Sequence, residues 1–181
     1  MSHGLTTSDI KMRLLAGRIG DAADMLNLHF PTVLTPAAET LRYHPSHLYL
    51  NLRIQNFIEQ ARTIPLPWPS DMLLHSKTPT QAASSTKSPI DLEETLPTNS
   101  PEDEERMNRL LNLMHELYTL AHALPVHKDR IEYIRELSAV GGLLAYPIPE
   151  QSRGMRKYLD MSRREAVAEQ INNAILCECH F

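Results

Sequence analysis

The sequence predicts an all-α protein, an antiparallel helical bundle interrupted by one long Pro/Ser/Thr-rich flexible linker. Three observations carry that prediction. Leu, Ala, Met, Glu and Arg dominate while aromatics make up only 6% of the chain, and such residues suit helices, whereas strands draw on β-branched and aromatic ones. Apolar residues recur at helical spacing in several windows. Seven of the 13 prolines fall between residues 65 and 101, which concentrates the helix breakers in one stretch.

From the N-terminus, Ile10, Leu14 and Gly17 repeat at i, i+4 and i+7 behind Ser8, predicting a short helix with Ser8 as its N-cap. The run Gly17-Arg18-Ile19-Gly20-Asp21 breaks it. Ala22, Met25, Leu26, His29 and Phe30 then restart the period until Pro31, so two short helices form a hairpin. A third helix, capped by Ser46, carries Leu50, Ile54, Phe57, Ile58 and Ala61 as a broad apolar face.

Residues 63 to 100 show no apolar periodicity and include runs such as Gln81-Ala82-Ala83-Ser84-Ser85-Thr86, so burial there cannot offset the entropy of ordering. This is read as a linker between an N-terminal unit, 5–62, and a C-terminal one, 101–181. Trp68, between two prolines, is expected to cap the preceding helical unit. Beyond the linker, Ser100, Pro101 and the acidic run Glu102-Asp103-Glu104-Glu105 form a good helix start. Met107, Leu110, Leu111, Met114, Leu117, Tyr118, Ala121 and Leu124 keep the helical period until Pro125. Ile131, Ile134, Leu137, Gly141 and Leu144 mark the next helix, with Gly141-Gly142 predicting a close crossing or an early break. Ser162 and Glu165 read as a capping box for a last helix whose face is Val167, Ile171, Ala174 and Ile175. Neither half buries much surface alone, so both should form one body, with the helix from Ser100 lying against residues 46–61.

Charge and cysteine usage narrow the function. Lys plus Arg number 18 against 22 Asp plus Glu, a net charge of −4, so no global cationic field gathers phosphates and nucleic acid is not expected as a partner. No signal peptide or apolar span is visible, which argues against a membrane. Cys177 and Cys179 are too close for an unstrained disulfide and too few for a RING-type double zinc site, so a reducing compartment, cytoplasm or nucleus, fits best. His44 with His47, His115 with His122, and Cys177-Glu178-Cys179-His180 read as ordinary surface or helix-end residues. The chain shows no phosphate loop, nucleophile elbow or paired carboxylates in an apolar setting. It is therefore expected to be a non-enzyme that uses no cofactor, metal or small-molecule substrate.

Two stretches then resemble known motifs. Leu15-Ala16-Gly17-Arg18-Ile19-Gly20-Asp21-Ala22, with Phe30-Pro31-Thr32-Val33-Leu34 and Phe57-Ile58-Glu59, is similar to the CTLH motif. Leu143-Leu144-Ala145-Tyr146, Leu159-Asp160, Arg164-Glu165 and Ile171-Asn172-Asn173-Ala174-Ile175-Leu176 resemble the CRA motif. Their order, with a linker between them, resembles the CTLH/CRA family, and the long linker and Arg164-Glu165 before the last helix resemble its RanBPM-like members, although no SPRY domain or LisH helix pair precedes the motif and Pro147-Ile148-Pro149 replaces the family's acidic-Pro turn. The resemblance implies a non-catalytic scaffold subunit of a CTLH/GID-type ubiquitin ligase, whose partners are other LisH-CTLH-CRA subunits or a second copy of itself. The alternative is a stand-alone helical adaptor, or a truncated paralogue that binds RanBPM-like partners outside the ligase.

The last helix is where a partner surface is expected. Val167, Ile171 and Ile175 must be covered either by the Leu143–Tyr146 segment or by another chain, with Leu159 and Leu176 at the edges as apolar anchors and Arg163 and Arg164 at the rim steering encounter. Arg153, Arg156, Lys157, Arg163 and Arg164 form the one basic cluster, either a solvated loop or a surface for an acidic partner segment.

Overall fold

The computed structural model describes residues 3–34, 45–66 and 101–178. The linker from residue 67 onward, with Trp68, the Ser100 cap, His44 and Cys179 lie outside the described residues. The described residues form six α-helices and no strand: α1 (His3–Leu15), α2 (Ile19–His29), α3 (Pro45–Ala61), α4 (Pro101–His122), α5 (His127–Gly141) and α6 (Met161–Glu178). Three short 3-10 turns, Gly142–Ala145, Pro149–Gln151 and Arg156–Tyr158, link α5 to α6.

Helix starts differ from expectation in three places. α1 begins at His3, so Ser8 lies within it rather than capping it, and α3 begins on Pro45, the proline-tolerant first position, ahead of Ser46. α6 starts at Met161, where the carboxylate of Asp160 accepts the Ser162 N–H at 2.9 Å. Asp160 stands nearer the helix end than Ser162 and takes the cap. The hydrogen bonds from Ser162 hold its carboxyl below the usual aspartate range. Between α1 and α2, Arg18 N–H reaches Arg13 O and Gly17 N–H reaches Leu14 O, with Gly17 at φ +77°, a Schellman turn that only glycine takes without strain.

Two apolar clusters fill the interior, and α3 belongs to both. Leu48 and Leu52 join Ile10, Leu14 and Leu26 of the hairpin and Val167, Ile171 and Ile175 of α6. Leu50, Ile54, Phe57 and Ile58 join Leu110, Leu117, Leu137 and Leu143. Each such side chain removed from water contributes about 1.5–3 kcal/mol, so both clusters are needed to stabilise the fold. The last helix of the chain thus returns to pack on the first. The two halves form one body, with α4 against α3 as expected. Arg106 of α4 donates to the carbonyls of Gln60, Ala61 and Arg62 at 3.0–3.3 Å, capping the C-terminal end of α3 across the linker. Leu113 is buried although it lay off the predicted stripe, and Leu111, on that stripe, is 51% exposed. Gly141-Gly142 is a break: α5 ends at Gly141 and the first 3-10 turn follows.

Candidate functional site

A buried ionic junction lies where the α1–α2 turn, the end of α3 and the start of α6 meet. α3 places Gln55 and Glu59 one turn apart, continuing the line of Leu48 and Leu52 towards the interior. α6 brings Arg164 to the same point from the other end of the sequence. Its guanidinium grips Glu59 in two parallel bonds, Nε to Oε1 at 2.8 Å and Nη2 to Oε2 at 2.6 Å. Nη1 donates to the carbonyls of Leu15 at 3.0 Å and Leu66 at 2.9 Å. Arg62 Nε adds a bond to Glu59 Oε2 at 2.8 Å and its Nη2 reaches Leu159 O, while Gln55 Nε2 reaches Glu59 Oε1 at 2.7 Å. Such a planar fork, with its carboxylate and carbonyl acceptors in place, suits arginine and not lysine.

Electrostatics follow from this packing. Burial pushes the Glu59 carboxyl up, but hydrogen bonds from Arg164 and Gln55 and the charges of Arg62 and Arg164 outweigh it and hold the group below its ordinary 4.5. Burial pulls Arg62 down, Glu59 opposes this, and the neighbouring Arg164 charge adds to the fall. Because the folded chain holds Glu59 deprotonated more firmly than the unfolded chain does, the junction stabilises fully above about pH 4.5 and is lost as pH falls through the lower folded value. Unfolding followed by circular dichroism should therefore show a stability loss in acid, and Glu59→Gln should flatten that dependence.

Gly17 completes the junction. A Cβ on it would lie 2.5 Å from Arg164 Nη2 and 3.1 Å from Glu59 Oε2. Gly17→Ala should therefore cost about 2–4 kcal/mol, part from the left-handed backbone and part from displacing the guanidinium. In an Arg164→Met background the cost should fall to the backbone share, about 1–2 kcal/mol, when both are measured by denaturant titration.

This arrangement corrects the reading of several expected surface residues. Arg164 is 2% exposed and bonded inside, so it cannot serve as a rim charge. Val167, Ile171 and Ile175 are covered by α1 and α3, and Leu159 lies in the second apolar cluster, so none of the four offers an apolar anchor to another chain while this packing holds. The covering elements are α1 and α3 and not the Leu143–Tyr146 segment, whose Leu143 lies in the other cluster. Only Leu176, 48% exposed, and Arg163, part-exposed and bonded to Glu136 at 2.6 Å, remain on the surface. Glu59, Gln55, Arg62 and Gly17 were missed as a group.

Two further features lie on the outside of the body. Asn27, Leu34, Ser46, Tyr49, Leu120 and Leu124 line a mainly apolar groove of about 330 Å³. Beside α5, the His47 ring meets Asp129 at 3.3 Å, and the Tyr133 hydroxyl donates to Asn51 Oδ1 at 2.9 Å. Burial and then the Glu136 charge push Tyr133 up to about 12, against the Asn51 bond. Among the described residues no group of three or more His, Cys, Asp or Glu could hold a metal ion, and no helix is long and apolar enough to cross a membrane.

A family model described as "CTLH/CRA C-terminal to LisH motif domain" matches residues 6–180. No curated protein and no solved structure matches.

Proposed function

The chain belongs to the CTLH/CRA family, a family of protein-interaction modules, and from that premise we propose that it is a non-catalytic scaffold subunit of a CTLH/GID-type ubiquitin ligase. The observation that carries this reading is the family match, which spans both halves of the chain. The fold supports it in physical terms: the junction and the two apolar clusters join six helices into one body able to hold partners in fixed relation. In this reading the chain is RanBPM-like, works in the cytoplasm or nucleus, and pairs with other LisH-CTLH-CRA subunits or with its own copy. Leu176 and Arg163 are its surface contributors from α6, while Leu159, Arg164, Val167, Ile171 and Ile175 act from beneath by holding α6 in place.

Affinity purification of the tagged chain from its source cell tests this directly. Recovery of a stable set that includes RING-bearing relatives supports the ligase scaffold. Recovery of one helical partner without them would favour the stand-alone adaptor.

A further inference from the structure

The connection from α5 to α6 carries Arg153, Arg156 and Lys157 within five residues, all exposed. Most other described arginines are engaged by carboxylates: Arg13 and Arg18 by Asp21, Arg53 by Glu116, Arg109 by Glu105. Among the described residues none of the three loop cations has a carboxylate within ion-pair distance. Arg156 Nε reaches only the backbone oxygen of Glu150, at 3.2 Å, and Lys157 Nζ lies 4.8 Å from the centre of the Tyr158 ring. The two acids of the connection are already engaged. Glu150 accepts the Thr63 and Ile64 N–H groups at 2.9 and 3.0 Å and the Thr63 hydroxyl at 2.7 Å, and Asp160 accepts Ser162. A local positive excess therefore stands on a chain of net charge −4.

This platform is braced. Backbone bonds Met155 N–H to Ser152 O, Tyr158 N–H to Met155 O and Leu159 N–H to Arg156 O close its turns, and Pro149 and Leu159 are buried beneath it. Charges held in place lose less entropy when a ligand arrives. Tyr146 and Ile148, on the same connection, expose apolar surface.

We infer that this connection docks a short acidic segment of a partner protein, its carboxylates on Arg153, Arg156 and Lys157 and an apolar residue beside Tyr146 or Ile148. Charge complementarity selects this occupant over nucleic acid: the positive footprint is three residues wide, and Glu102, Asp103 and Glu104 stand exposed on a chain that is acidic overall. The inference deepens the scaffold reading, on which it rests for the existence of a partner, by giving that partner a chemistry.

The test titrates the full chain into a fluorescein-labelled Glu- and Leu-rich peptide and reads anisotropy. Saturable binding that weakens with salt is expected, and the triple variant R153Q/R156Q/K157Q should lose roughly tenfold or more in affinity with its melting temperature unchanged. If the triple variant melts early, Lys157→Gln alone, at an exposed site, should still weaken binding measurably. Absence of saturable binding, equal affinity in the folded variants, or tighter binding of a labelled single-stranded oligonucleotide would overturn the inference. Purification from cells separates the two readings. A triple variant that captures the same subunits as the wild type removes the docking surface and leaves the scaffold. A wild type that captures none, while the peptide still binds at the loop, removes the scaffold and leaves the docking surface.

Discussion

Replacing Arg164 by methionine will lower the unfolding free energy by about 3–5 kcal/mol, because it leaves the mostly buried Glu59 carboxylate facing only Arg62 and Gln55 and frees the carbonyls of Leu15 and Leu66. For a chain of this size that corresponds to a fall in melting temperature of roughly 6–20 °C. The neighbouring substitution Arg163→Met serves as the comparison. Arg163 is part-exposed and pairs with Glu136 near solvent, so its loss should cost about 1 kcal/mol or less. Equal melting of the two variants by circular dichroism would contradict the assignment of Arg164 to a buried junction.

Phe57→Ala and Ile171→Ala will each cost about 2–5 kcal/mol, and both will act on one transition. Phe57 lies in the cluster under α4 and α5, Ile171 in the cluster under α1 and α2, and both side chains are buried. Two separate lobes would unfold in two steps, each variant moving its own. Here α3 contributes to both clusters and α6 returns to α1, so opening either cluster exposes the other. Urea titrations followed by far-ultraviolet circular dichroism and by hydrogen exchange in α4 and α6 should give coincident midpoints that shift together. Exchange in α6 that opens well before α4 in the Ile171 variant would contradict this. Leu176→Ser, at an exposed position, should leave the midpoint in place.

Much of this architecture was legible in the sequence, and the parts that were not have physical reasons. The stripes of α3, α4 and α6 follow from periodicity, because a helix must cover its apolar side. What covers each stripe does not follow from it. Val167, Ile171 and Ile175 announce a buried face, but nothing local says that α1, at the other end of the chain, lies over it. Arg163 and Arg164 look alike in sequence, yet successive residues on a helix point about 100° apart, and that turn sends one to the surface and the other to Glu59. One signal was present: Gln55 and Glu59 continue the buried line of Leu48 and Leu52, and a polar pair on an apolar line requires a polar partner. The start of the expected linker was hidden differently. Thr63, Ile64 and Leu66 are held by Glu150 and Arg164 through backbone groups, which leave no mark on side-chain pattern.

That Glu59 and Arg164 join the two motif halves is tested most directly by a double-mutant cycle of Glu59→Gln, Arg164→Met and the pair, measured by urea denaturation. Removing either charge strands the other, whereas removing both strands neither and leaves Arg62 with a smaller loss. The predicted coupling is about 2–3 kcal/mol, the double variant being far more stable than the sum of the single losses implies. Single losses that simply add, within about 0.5 kcal/mol, would show that the two residues do not hold each other and would contradict the junction.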